Sequence, residues 1–359
     1  MADTKYNSIR PGELWLDTDG NPIQAHGGGI IYINDTFYWY GENKEKSKPG
    51  SGIWHWGVNC YSSKDMYNWK YEGIIVPPTT EDDKDPLHYT QYMDRPHIIY
   101  NDRTSKFVMW IKVMNKEAIN NQQMVVLTAD NILGPYTRIR AFHPLGMNSG
   151  DFDLVKNPSD GKAYIFFDRI HSEMICADLT DDYLDVTGFY SVHMPNVPPF
   201  VREAPAFFER KNKKYLFTSA ITGYFPNPTE TDMFDCFHLP MTKLENPHRG
   251  AKAANSCFSQ ISAVFKYPKA DDLYIAIADR WLIDVPPELD YLGITAGLYG
   301  DGTHPVIMEE DEYIERAVKF NRPDTRDTSK ARYVWLPIRF EANTPIIEWY
   351  DEWKIEDFC

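Results

Sequence analysis

The 359 residues hold only five cysteines, Cys60, Cys176, Cys236, Cys257 and Cys359, spread widely and never in a C-x-x-C pair. Neither a disulfide framework nor a structural zinc site is indicated. Positive charge is also scarce: 37 Lys and Arg against 52 Asp and Glu leave a formal net charge of −15, with a pI near 5.1. Such a chain repels nucleic acid and anionic lipid, which sets both aside as partners, and it suits a neutral ligand better than a phosphorylated one. Met1-Ala2-Asp3-Thr4-Lys5-Tyr6 lacks a basic segment followed by an apolar one, and no apolar run is long enough to span a membrane. As it stands the chain reads as cytoplasmic; a secreted protein trimmed of its signal would read the same. Helical periodicity is nearly missing, the best stretch being the short Glu312-Tyr313-Ile314-Glu315-Arg316-Ala317. No Gly/Ser linker or low-complexity tract divides the chain, so a single domain over residues 1–359 is expected. Oligomeric state is not legible.

What is present is a globular composition, 43% hydrophobic and 25% charged, with ample length for a large core. Aromatics reach 14%, including 10 Trp and 23 Tyr. Aromatic faces suit the C–H faces of sugars, and they equally suit β-sheet cores, which is the commoner use.

The chain repeats itself. Five segments share a polar or small start, a strand, a turn and a second strand. The first runs from Gly27 to Ile33, turns at Asn34-Asp35 and returns through Thr36 to Glu42. The second starts at Asp94-Arg95-Pro96 and turns at Asn101-Asp102; the third starts at Gly150-Asp151 and turns near Asp160-Gly161. The fourth is Val201-Arg202-Glu203-Ala204-Pro205-Ala206, turning at Arg210 to Lys213; the fifth starts at Ser259-Gln260 and turns near Lys269 to Asp272. More strand-like sequence follows each pair, including Met174-Ile175-Cys176-Ala177 and Cys236-Phe237-His238-Leu239. Starts recur every 50–65 residues or about that, which suits four-stranded blades. The expected fold is all-β, a five-bladed β-propeller. The stretch from Trp281 to Thr303, with its prolines and glycines, reads as a loop long enough to wall a pocket or as plain connection.

In a propeller the inner strands begin around one axis, so residues far apart in sequence meet at one mouth. Here the set is Glu42, Asp94, Asp151, Glu203 and Gln260, with His26, Arg95 and Arg202 beside them. Crowded carboxylates push one pKa up and leave others ionised. That separation into acid and base is what glycoside hydrolysis requires. Glu203 stands next to apolar and aromatic residues, a setting that keeps a carboxyl protonated; the plainer reading is a structural ion pair with Arg202 or another Arg.

Several motifs resemble glycoside hydrolase family 43, and within it the branch of exo-β-1,3-galactanases and related exo-galactosidases. They are Ile23-Gln24-Ala25-His26-Gly27-Gly28-Gly29, Tyr38-Trp39-Tyr40-Gly41-Glu42-Asn43-Lys44, Arg202-Glu203-Ala204-Pro205-Ala206, Thr222-Gly223-Tyr224-Phe225-Pro226-Asn227-Pro228, Ser259-Gln260 and Asp279-Arg280-Trp281. The resemblance covers nearly the whole chain. It implies a five-bladed propeller that inverts at the anomeric carbon and releases terminal galactose from β-1,3-linked galactans or arabinogalactan side chains. By matching position, Glu203 is the general acid and Asp151 the carboxylate that orients it and tunes its pKa. The wider family takes its base from an Asp-Pro in the first blade; Gln24-Ala25-His26 stands there instead. In the branch a Gln of the fifth blade, here Gln260, holds the water, or activates it as an imidic acid. An amide is far too weak a base, so holding the water is the physically sounder role. Glu42, Asp94, Thr222, Gly223, Tyr224 and His26 match the surroundings of the sugar.

Departures touch the subsite. Asp94 replaces a usual Glu, Tyr224 a usual Trp platform and Gly150 a usual Arg. The Tyr expected in the second blade has no clear counterpart, and Lys112 to Lys116 occupy that region. The resemblance implies no required cofactor. It allows a structural Ca2+ in the axial channel near His26, against the plainer reading of a buried, hydrogen-bonded His. Two other readings compete: an α-L-arabinofuranosidase or β-xylosidase, as elsewhere in the family, and a non-catalytic sugar-binding propeller, which the missing Asp base favours.

Overall fold

The computed structural model describes residues 5–158, 160–197, 199–285, 290–299 and 326–359. Alternating apolar and polar side chains over short runs, punctuated by turns, make antiparallel strands, and the strands assemble into five sheets. Blade one comprises His26–Ile33, Thr36–Glu42, Val58–Ser63 and Lys70–Val76. Blade two comprises Tyr92–Asn101, Lys106–Asn115, Ala118–Ala129 and Thr137–Phe142. Blade three comprises Ser149–Lys156, Ala163–Arg169, Glu173–Leu179 and Val186–His193. Blade four comprises Arg202–Arg210, Lys213–Ala220, Glu230–Phe234 and Thr242–Lys243. Blade five comprises Gln260–Lys266, Tyr274–Arg280, Leu336–Glu341 and Thr344–Ile347, with Arg332–Tyr333 added beside the second strand. The first strand of every blade packs against the first strands of both neighbours, and the fifth meets the first, so the ring closes as a five-bladed β-propeller.

The inner hairpins turn where the sequence indicates. Asn34 and Asp35 both have positive φ (49° and 59°), as do Lys211 and Asn212 (49° and 64°). Two successive left-handed residues are the signature of the two-residue turn whose twist matches paired strands. Core clusters lie between blades. The seam between blades one and five is the most aromatic: Trp39 lies 4.5 Å from Trp335, 5.3 Å from Trp69 and 5.7 Å from Trp15. Ile9 and Trp353, from opposite ends of the chain, pair antiparallel at this seam.

Two expectations are corrected. Cys236-Phe237-His238-Leu239 is not a strand; the third strand of blade four is Glu230–Phe234. Phe237 is apolar because it stacks on Tyr164 of blade three at 3.7 Å. The stretch read as a loop after Trp281 contains a helix, Tyr291–Tyr299. Its Thr295 is wholly buried and donates to the Ile221 carbonyl at 3.0 Å, docking the helix on blade four. The Glu312 to Ala317 stretch lies outside the described residues.

Candidate active site

Three inner strands begin with the same distortion. Pairing slips by a residue between His26 and Gly29, between Asp94 and His97, and between Glu203 and Ala206. In each, the next residue is left-handed: Gly27 (63°), Arg95 (51°) and Ala204 (53°). A bulge of this kind breaks pairing and re-aims side chains. At Arg95 and Ala204 a Cβ must tolerate a conformation costing about 1–2 kcal/mol. At Gly27 no Cβ is tolerable, because it would collide with Glu42 Oε1. Blade three carries a bulge at the same place on its first strand, without the left-handed residue: Gly150 and Asp151 together oppose Asp168.

The strand starts surround a pit of about 770 Å³ including its mouth. Glu42, Asp94, Asp151, Asp168 and Glu203 line it, with Arg95, Lys112 and Gln260 among them and Trp54, Tyr224 and Trp281 around them. Arg95 is the hub. Its Nε meets Asp151 Oδ2 at 2.6 Å, its Nη2 donates to Gln260 Oε1 at 2.5 Å, and its backbone N–H donates to Glu42 Oε1 at 2.9 Å. Gln260 is held at both ends. Its oxygen also accepts from Trp281 Nε1 at 3.3 Å, while its Nε2 donates to Ser219 Oγ at 2.8 Å and to Glu203 Oε1 at 3.1 Å. Lys112 reaches Asp151 at 2.9 Å and Asp94 at 3.4 Å. Lys44, fully buried, pairs with Glu42 at 2.8 Å and lies over Trp54.

These contacts drive the carboxylates apart in proton affinity. Burial alone would raise Asp151, but Arg95 and Lys112 override it and hold the group down at about 2. Glu203 goes the other way: burial, then the charges of Asp151 and Asp168, lift it well above the ordinary range despite Lys112 and Arg95. Burial, aided by Asp94 and opposed by Lys44, pushes Glu42 up to about 7. One wall of the pit thus keeps a proton while its neighbour stays ionised.

Of the residues singled out in the sequence, Glu42, Asp94, Asp151, Glu203, Gly223, Tyr224 and Gln260 all line the pit. Thr222 and His26 do not. Thr222 is buried, donating to the Phe225 carbonyl and accepting from Asn227, so it shapes the turn that presents Gly223 and Tyr224. His26 is wholly buried, with Nδ1 on Asp279 at 2.9 Å and Nε2 facing the Tyr333 hydroxyl at 3.3 Å. It supports Trp281, whose ring lies 5.5 Å away, from behind the pit wall. Nor do its surroundings suit calcium, which takes several oxygen ligands: Asp279 is committed to His26 and the Gly27 N–H, and no group of three His, Cys, Asp or Glu among the described residues could hold a metal. Arg202 turns from Glu203 toward the carbonyls of Thr218 and Pro228, which removes the ion pair with that residue. Lys44, Lys112, Asp168 and Trp54 were not anticipated. Lys112 had a signal, a lone cation inside the apolar run Phe107 to Val113.

A pit in which neighbouring carboxyl groups are driven to opposite proton affinities, ringed by aromatic side chains on a five-bladed propeller, is the arrangement of a glycoside hydrolase. The family model described as glycosyl hydrolases family 43 matches residues 21–236. Together with the structural likeness below, this places the chain in glycoside hydrolase family 43. A solved family-43 β-1,3-galactosidase is 30% identical with a TM-score of 0.79, covering 98% of this chain and 64% of that one. Another β-1,3-galactosidase, solved with galactodeoxynojirimycin, is 28% identical with a TM-score of 0.76, covering 97% of this chain and 100% of that one. The exo-β-1,3-galactanase of Phanerochaete chrysosporium, solved with β-1,3-galactotriose, is 25% identical with a TM-score of 0.76, covering 98% and 68%. Comparison with curated proteins found no match.

Proposed function

We propose that this hydrolase is exo-acting and inverting, and that it releases terminal galactose from β-1,3-linked galactans or arabinogalactan side chains. Glu203 is the general acid, Gln260 holds the attacking water, and Asp151 orients the acid and sets its proton affinity. The observation that carries this reading is the Glu203–Gln260 pair at the floor of the pit. At 3.1 Å the two are closer than a sugar and a water allow, so substrate must part them. The hydrogen bond Glu203 receives from the amide is then replaced by one it gives to the glycosidic oxygen. Its proton passes to that oxygen, the C1–O bond breaks, water adds to C1 from the opposite face, and the extra proton of the added water leaves to solvent.

Arg95 and Trp281 both donate to the Gln260 oxygen, an arrangement that supports the amide form over the imidic acid. Gln260 is therefore a positioner. Capture of an oxocarbenium-like centre releases the water proton late, so order at the water serves where a strong base is missing. Galactose is supported by the substrates and ligands of the similar structures, which carry β-1,3-galactotriose and galactodeoxynojirimycin. Glu42, Asp94 and Tyr224 meet the terminal sugar.

The test is β-1,3-galactobiose followed by NMR. α-Galactose as the first product is expected; β-galactose would overturn inversion. Glu203→Gln should abolish turnover while retaining galactose binding. Faster release from nitrophenyl arabinofuranoside or xyloside would move the substrate assignment. A second reading, a propeller that binds sugar without cleaving it, rests on Gln24-Ala25-His26 at the usual place of the base. It predicts a galactose-raised melting temperature with no product.

A further inference from the structure

Asp168 is the carboxylate in the pit whose only part so far is its charge on Glu203. The bulge in the facing strand sets Gly150 and Asp151 together opposite it, and a Cβ at residue 150 would fall on its Oδ1. Only glycine at 150 leaves room for this carboxylate. It is 1% exposed, and Oδ1 has no hydrogen-bond partner among the described residues, while Oδ2 faces His171 Nδ1 at 3.7 Å. A buried carboxylate oxygen without a donor is costly unless something else supplies one.

Its position says what that donor belongs to. Gln260 is on blade five, Glu203 on blade four and Asp168 on blade three. Around the pit, Asp168 therefore lies on the flank of Glu203 away from Gln260. Under the proposed function, water and C1 lie on the Gln260 side of the acid, and the departing sugar on the other. Met114, Gln122 and His171 line that same side. We propose that Asp168 is a specificity-determining residue, accepting a hydroxyl of the sugar on the leaving-group side of the scissile bond. Gly150 is its sequence mark, because that position admits no other side chain while Asp168 faces inward.

This inference rests on the hydrolase reading above, and its test separates the two. Kinetics of wild type, Asp168→Ala and Gly150→Ala would be compared on β-1,3-galactobiose and on methyl β-D-galactoside. Both substrates need the acid, but only the first has a second ring. Because Asp168 also lifts the proton affinity of Glu203, Asp168→Ala should lower kcat/KM on both substrates, with the loss on galactobiose at least tenfold larger than the loss on methyl galactoside. Asp168→Asn, which keeps an acceptor oxygen, should recover part of the loss. Gly150→Ala should reproduce the selective loss by displacing the carboxylate, with circular dichroism confirming the fold. Equal losses on both substrates would mean that Asp168 acts only through the Glu203 proton and would overturn the proposal, as would no loss on either. A wild type inert on both substrates would sink the hydrolase reading itself, and this one with it.

Discussion

Asp151 and Glu203 have the same functional group and opposite proton affinities, and the cause is two cations that touch one of them. Arg95 and Lys112 both contact Asp151. Its charge in turn helps to hold the proton on Glu203. Asp151→Asn removes that charge and leaves both cations facing the acid. The Glu203 pKa should then fall, and the limb of the rate profile lost as pH rises should move to lower pH. A kcat/KM profile on β-1,3-galactobiose checks this; an unmoved limb would remove Asp151 from tuning. The same pair has a stability signature. A carboxyl depressed from 3.8 to about 2 stabilises the fold above pH 4 or so and loses that contribution as pH falls through about 2. Acid unfolding over that window should be steeper in wild type than in Asp151→Asn. At this scale the sequence was legible where residues sit at blade starts, since topology alone brings Glu42, Asp94, Asp151, Glu203 and Gln260 together. Lys44, Lys112 and Asp168 were not, because their inward aim depends on register: Lys112 stands directly across from Asp94, and Asp168 faces the bulge of Gly150 and Asp151.

The bulges are the element on which the site depends. They interrupt the ladder at the first residues of blades one, two and four, and each leaves one residue left-handed. Gly27→Ala would add the strain of a Cβ at φ 63° and press on Glu42. A loss of about 1–2 kcal/mol from the conformation alone is expected, together with weakened galactose binding, read by urea unfolding and calorimetry. Ala204 already bears that strain, so Ala204→Gly should not destabilise in the same way. Turns were legible at this scale because Asn-Asp and Lys-Asn sit where two positive φ values are needed. Cys236 to Leu239 misled because an apolar run looks the same whether it pairs in a sheet or fills the gap between two blades.

Over the whole molecule, five sheets must close on themselves, and the last seam has to hold the ring. Trp39 and Trp335 are wholly buried there, with Trp69 against both. Trp39→Ala should cost about 3–5 kcal/mol, the range for emptying a large aromatic site, and should lower the melting temperature without altering the pH profile of what remains folded. The five-fold repeat was the most legible feature of all, because each blade repeats the same start, strand and turn. The helix Tyr291–Tyr299 fell outside that repeat, and nothing in the repeat could have announced it.

Ile9 and Trp353 exchange backbone hydrogen bonds of 2.8 and 3.0 Å across the seam. Ile9, ahead of the first blade, and Trp353, after the last, are thus neighbours, and the circle has no preferred place to be cut. A rearranged gene that joins the two sides of this contact by a short peptide and opens instead between blades two and three, near Pro144, should yield a protein of the same shape that keeps its glycoside hydrolase activity.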